Sequence, residues 1–191
     1  EQDSVFNYYD TASSRAGIIS INEKLKGRIS IIGLGGTGSY ILDLISKTPV
    51  EEIHLFDGDK FHNHNAFRSP GAPSENDLQR DMLKVEWFHD IYSKMRKKII
   101  SHPQFITESN ASELDLMSMV FVCVDKNKPR KIIVNYLLEK KIQFIDVGIG
   151  IDKVNEMLSG SAQVTTCTPF YDHAKTRILS GGDDDDEYSS N

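Results

Sequence analysis

Apolar residues in this chain fall into two alternating patterns, short unbroken runs and longer stretches at helical spacing. Arg28–Ile32 (RISII) is an isoleucine-rich run of strand length. "GSYILDLISKT" follows, with Tyr40, Ile41, Leu44 and Ile45 spaced for a helix that Pro49 ends. "EEIHLFD" reads as a second strand, and the Gly-, Pro- and Asn-dense "GDKFHNHNAFRSPGAP" as a loop. Ser74 is placed to N-cap one long helix with an apolar stripe at Leu78, Met82, Val85, Phe88, Ile91, Tyr92 and Met95. Arg96–Lys98 would then lie near its end, where cations suit the helix dipole.

"PQFIT" predicts a third strand and "MSMVFVCVD" a central parallel strand ending on an acid. "KPRKIIVNYLLEKK" predicts a helix with Pro129 in its first turn, and "IQFIDVGIG" another strand. The β-branched "SGSAQVTTCT" reads as a late strand, antiparallel to the rest. The segment before residue 28 is irregular or partly helical, and "SGGDDDDEYSSN" is an acidic loop in which Asp183–Asp186 would be solvated. Strand–helix alternation of this kind predicts an α/β fold. The expected form is a doubly wound, mostly parallel, Rossmann-like sheet with helices on both faces. The expected organisation is an N-terminal arm (1–27), a nucleotide-binding core (28–150) and an incomplete C-terminal part (151–191).

Composition narrows the function classes. With 191 residues, 39% of them apolar, the chain can bury a core. A net charge of −6 argues against a broad nucleic-acid surface. Two cysteines, Cys123 and Cys167, make neither a disulfide framework nor a four-cysteine zinc site. No apolar run reaches membrane-spanning length and the first residues do not read as a signal peptide. The expectation is a cytoplasmic protein with no membrane or nucleic-acid partner.

Gly33-Leu34-Gly35-Gly36-Thr37-Gly38 fits GxGxxG between a strand and a helix. Glycines let the backbone approach phosphate oxygens, and the helix start supplies N–H donors. Asp57 stands 19 residues after Gly38, at the ribose-binding place. To this point NAD and ATP are equally served. Asp59, Asn65, Arg68, Lys84 and Asp125 tip the balance. A carboxylate facing a polyphosphate is costly unless a divalent cation sits between them, and Mg²⁺ favours that arrangement. Arg68 and Lys84 would neutralise the rest of a triphosphate. Each residue also has an ordinary reading: Asp59 and Asn65 as turn residues, Arg68 and Lys84 as surface cations, Asp125 as a helix cap.

The order GxGxxG, D-x-D, N-x-x-R, a helical lysine and a strand ending C-x-D resembles the ThiF/MoeB/HesA family. That family includes the adenylation domains of ubiquitin-activating enzymes. The resemblance covers roughly residues 29–150. It implies an ATP- and Mg²⁺-dependent adenylyltransferase that activates the C-terminal carboxylate of a ubiquitin-like or sulfur-carrier protein with a free tail. It places Gly33, Gly35, Gly36 and Gly38 against phosphate, Asp57 on ribose, and Asp59 and Asn65 in support. Arg68 and Lys84 would face the phosphates, and Asp125 would hold magnesium. Arg130 falls five residues after Asp125, where the family places an arginine. Arg15 is the candidate for an arginine acting in the partner subunit of a homodimer. Ser69 and Lys126 depart from the family's Gln and Asn. Cys167, before Pro169, is the candidate thioester acceptor, with Cys123 structural. The six histidines show no ligand spacing. Rival readings are an NAD-dependent oxidoreductase, a catalytically inactive partner half, and adenylation of a small molecule or RNA base.

Overall fold

A computed structural model describes residues 4–11, 25–154 and 157–168, with the backbone alone for 151–154. Six strands form one sheet: β1 (Arg28–Ile32), β2 (Glu52–Phe56), β3 (Ile99–His102), β4 (Met119–Val122), β5 (Phe144–Val154) and β6 (Met157–Cys167). Their spatial order is β3-β2-β1-β4-β5-β6. The first five pair in parallel, while β6 runs antiparallel to β5. This is the doubly wound, Rossmann-like sheet predicted from the alternation. Order reverses between β1 and β4, so the crevice beyond their carboxyl ends is where such sheets bind ligands. No helix among the described residues is long and apolar enough to cross a membrane.

Strand alternation sorts side chains to two cores. Ile31, Ile53, Leu55 and Ile99 meet Leu42 of α1 (Gly36–Ile45) and Val85 and Phe88 of α4 (Lys84–Tyr92). Ile32, Phe56, Val120, Val122 and Phe144 meet Ile133, Val134 and Leu137 of α5 (Asn127–Lys140). Both faces are covered, which is why these strands read as near-continuous apolar runs. The loop after β2 contains a single turn, α2 (Asn63–Ala66).

Three sequence expectations are corrected. The long helix after Ser74 is two helices. Ser74 does cap α3 (Glu75–Gln79), through a reciprocal capping box with Asp77. The chain then leaves helical geometry at Asp81, at φ +50°, and Leu83 forms an antiparallel bridge with Lys60 before α4 begins. Pairing with the post-β2 loop outweighs a periodicity that ran through the break. The third strand is not "PQFIT" but the preceding Ile99–His102. Pro103 has no N–H to donate and follows the strand's end. Asp125 does not cap α5: the N-cap residue is Lys126, with no side-chain capping bond.

Arg96 also departs from the expected exposed helix-end cation. It is 1% exposed and ties down the chain that follows α1. Its Nη1 donates to the Thr48 carbonyl at 3.1 Å and its Nη2 to that of Val50. Burial lowers its pKa to about 10. Arg96→Met should cost about 3 kcal/mol, since those carbonyls lose their donors. Urea denaturation would measure this, and Arg96→Lys should restore little, lacking the planar fork.

Candidate functional site

The site grows from three chain segments that meet beyond β1, β2 and β4. The first is the glycine loop. Gly33 adopts φ +89°, closed to most side chains, and a Cβ there would lie 2.7 Å from the Cys123 carbonyl. A Cβ on Gly38 would lie 1.8 Å from the Gly33 carbonyl. These two glycines are required by the protein's own packing, because α1 must start against the loop that precedes it. Gly36 faces the Arg68 backbone, with a hypothetical Cβ 3.4 Å from its carbonyl. That close approach brings the Arg68 turn beside the loop. Nothing lies within 4 Å of a Cβ on Gly35.

The second segment is Asp57–Phe61. It runs antiparallel to Met82–Lys84, with Phe61 N–H donating to the Met82 carbonyl at 2.8 Å and Lys84 N–H to that of Asp59 at 2.9 Å. This pairing delivers Lys84, first residue of α4, to the carboxylates. Its Nζ lies 3.0 Å from Asp59 Oδ2 and 3.6 Å from Asp57 Oδ2. Asp57 is 4% exposed and Lys84 8%. Asp57 Oδ2 also accepts from Leu34 N–H at 2.7 Å, and Oδ1 from Asp59 N–H at 2.8 Å. Asp57 is therefore the clasp between the β2 end and the glycine loop. Burial pushes its pKa above the usual carboxylate range, opposed by Lys84 and the two backbone donors.

This changes the charge picture read from the sequence. Lys84 is not spare positive charge but is already shared between two carboxylates. An ammonium has three donors, and among the described residues only Asp59 takes a hydrogen bond from it, which leaves donor capacity for a phosphate. Arg68 is exposed, and its guanidinium meets no carboxylate among the described residues. Asn65 is buried beneath it: its Oδ1 accepts from His62 N–H at 2.8 Å, and its carbonyl accepts from Ser69 Oγ at 2.8 Å. Asn65 thus shapes the turn that presents Arg68, and Ser69 has a defined place in that turn.

The third segment is Cys123–Lys126, between β4 and α5. β4 ends at Val122 rather than running on to the acid. Asp125 is exposed on this loop, with no hydrogen bond or ion pair to its carboxylate among the described residues. No cluster of three His, Cys, Asp or Glu there could cage a metal. Mg²⁺ suits such a site, since it binds through one or two carboxylates and completes its shell with water and phosphate oxygens. Burial, then Asp146, pushes the Cys123 thiol up to about 12, which fits the expected structural role.

Cys167 does not present itself as an acceptor. It is 8% exposed, sits opposite Phe144 at the end of β6 and packs into the α5-side core. The reachable position expected from Pro169 is lost because β6 pairs through Cys167 to its end. Arg15 lies outside the described residues, as does the acidic run Asp183–Asp186. His62 and His64 are both exposed around α2, their ring centroids 5.9 Å apart. Sequence reasoning missed Asp146, a buried acid beside Arg130. It stands in an apolar strand with only the period-2 neighbour Gly148 as a local signal.

The model of the ThiF family matches residues 16–180. The chain belongs to the ThiF family. The ubiquitin-like modifier-activating enzyme 5 of Drosophila grimshawi is 21% identical over an alignment of 174 residues that covers 83% of this chain and 44% of that protein. This ThiF-family chain therefore spans less than half of that curated relative. Among solved structures, Escherichia coli tRNA N6-threonylcarbamoyladenosine dehydratase TcdA in complex with AMP superposes with a TM-score of 0.64 at 19% identity. That match covers 73% of this chain and 62% of TcdA. E. coli MccB with AMPCPP and MccA gives 0.60 at 17% identity, covering 80% and 44%. These likenesses establish the shared fold.

Proposed function

We propose that this ThiF-family chain uses ATP to adenylate a carboxylate, that of the C-terminus of a ubiquitin-like or sulfur-carrier protein. The observation that carries the reading is the Asp57–Lys84–Asp59 cluster clasped to the glycine loop, with Arg68 exposed on the turn beside Gly36 and Asp125 exposed on the loop after β4. A dinucleotide needs the loop and Asp57 but gives Arg68 and Asp125 no task. The relatives support an adenine nucleotide: TcdA is solved with AMP and MccB with AMPCPP. One relative is named as an activating enzyme for a ubiquitin-like modifier.

The chemistry is an in-line displacement. A carboxylate oxygen bonds to the α-phosphorus while the bond from that phosphorus to the pyrophosphate oxygen breaks, and pyrophosphate leaves with the electron pair. The attacking group is already ionised, so no general base is needed. The obstacle is repulsion between two anions. Arg68, and the donors of Lys84 not taken by Asp59, would stabilise charge moving onto the leaving group. Mg²⁺ held by Asp125 would screen the phosphates. Asp57, having clasped Leu34, would turn its remaining lone pairs to the ribose hydroxyls. Arg15 would complete the site of a partner subunit in a homodimer.

Calorimetric titration should give Mg-ATP binding tighter than NAD(H), and the reverse order sinks the reading. Pyrophosphate exchange should require a carrier protein with a free Gly-ended tail and be lost in Asp125→Ala. Nucleotide binding without any exchange would mark an inactive partner half.

A further inference from the structure

The loop carrying Asp125 has a buried ionic support. Arg130, in the first turn of α5, folds back beneath it. Its Nη2 donates to the Val124 carbonyl at 2.6 Å, the peptide immediately before Asp125. Its Nε lies 3.2 Å from Oδ1 of Asp146, on the neighbouring strand β5. Gly148, two residues along the same strand face, lies beside the guanidinium, where a Cβ would be in ordinary contact with Nη2 at 3.5 Å. Asp146 is 3% exposed, and Arg130 is largely buried too. A buried ion pair is weak evidence for added stability, so its location is the informative feature. It stands under the segment that carries the exposed Asp125, while the glycine loop closes the other side through Gly33 and Gly38 against Cys123.

The pair is also electrostatic rather than hydrogen-bonded. Arg130 Nε and Asp146 Oδ1 lie within ion-pair distance, yet each lacks a hydrogen-bond partner. The guanidinium is hydrogen-bonded through Nη2 to the Val124 carbonyl and through Nη1 to Asn127 Oδ1, while its Nε side is held by the charge of Asp146. A neutral isostere would keep the shape and release the grip.

We infer that Asp146 is a positioning residue: through Arg130 and the Val124 carbonyl it sets the Asp125 loop in the geometry that receives Mg²⁺ with the nucleotide. This rests on the ATP reading above and deepens it. Asp146 touches neither phosphate nor metal. It acts as the outer partner of a metal ligand does, by fixing where that ligand points, and loss of such partners lowers metal affinity by about 10- to 100-fold.

The test is a titration of a non-hydrolysable ATP analogue into the full chain across a Mg²⁺ series, for the wild type, Asp146→Asn, Arg130→Lys and the double variant. Circular dichroism and thermal melting confirm folding. Asp146→Asn should raise the half-saturating Mg²⁺ concentration roughly tenfold while leaving metal-free nucleotide affinity within about twofold. A generalised structural defect would weaken both together. Arg130→Lys keeps a cation near Asp146 but cannot span it and the Val124 carbonyl, so it should shift Mg²⁺ dependence alike. Should Asp146→Asn not fold, Arg130→Lys reads the same quantity. The double variant should be no worse than the poorer single one, since the residues act in series. Variants that match a Mg²⁺-dependent wild type, that lose metal-free affinity equally, or that add in the double variant would overturn the inference. A wild type whose nucleotide binding ignores Mg²⁺ would instead overturn the ATP-site reading on which it rests.

Discussion

Gly38→Ala should weaken nucleotide binding and lower the melting temperature together, and Gly35→Ala should weaken binding without disturbing the fold. At Gly38 the added methyl would lie 1.8 Å from the Gly33 carbonyl and 3.4 Å from Cys123 Cβ. The first contact is backbone on backbone, so neither side can rotate away. Either α1 lifts off the loop or the loop leaves the Asp57 clasp, and both routes displace the N–H groups that would face phosphate. Overpacking of this kind costs about 1–3 kcal/mol, visible as a lower melting temperature. A displacement on the order of 1 Å is enough to lower pyrophosphate exchange roughly 100-fold. Gly35 is the internal control. Its φ is −74°, and nothing in the protein lies within 4 Å of an added Cβ. Its demand for glycine comes from the ligand's approach alone, so Gly35→Ala should melt with the wild type yet bind Mg-ATP more weakly. Equal melting and equal nucleotide affinity for both variants would remove the glycine loop from the site.

Lys84→Met should be the most destabilising change among the crevice side chains, with a pH dependence of predictable sign. Asp57 is buried, and its pKa already lies above the usual value because desolvation outweighs Lys84 and two backbone donors. An acid whose pKa is raised by folding takes up protons on folding. Its contribution is therefore fully present below the unfolded pKa and is lost as pH rises through the folded one. Removing Lys84 takes away the largest of the opposing influences and pushes Asp57 further up. The cost of leaving a buried charge without its partner is about 3–5 kcal/mol. At neutral pH Lys84→Met should melt well below the wild type. As pH falls from 7 toward the ordinary carboxylate range, Asp57 becomes protonated and the gap should narrow. Lys84→Met with Asp57→Asn should recover much of the melting temperature at pH 7 with no recovery of Mg-ATP binding. A gap that widens on acidification would mean Lys84 is not the cation that Asp57 depends on.

The pairing of Lys84 with two carboxylates bears on the proposed chemistry. A lysine held between Asp57 and Asp59 is oriented before nucleotide arrives, but its single charge is outweighed by theirs. Net neutralisation of a triphosphate would then fall more heavily on Arg68 and on a cation at Asp125. Both are exposed at the rims, where they can adjust to a ligand. In the proposed reaction the buried members of the site would fix the backbone and the exposed members would meet the substrate.

Much of this architecture was legible from local patterns. The apolar-rich stretches at β1, β2 and β4 announce strands, and GxGxxG between strand and helix announces the tight turn that Asp57 clasps. The carboxyl ends of the strands then name the crevice, and the spacing from Gly38 to Asp57 names its acid. Such features survive in a single sequence because period and spacing are imposed by backbone geometry within a few residues. Contacts between distant segments leave no such trace. The helix break at Asp81 exists because Leu83 pairs with Lys60, more than twenty residues away. Arg96 reads as one of three surface cations until its guanidinium is seen on the carbonyls of Thr48 and Val50. Asp146 reads as an interruption in an apolar strand until α5 brings Arg130 against it. Periodicity along the chain dictated which faces would be buried and where the loops would open. Which charges would meet in those loops was settled only when the sheet set its order and register, since pairing depends on distance in space.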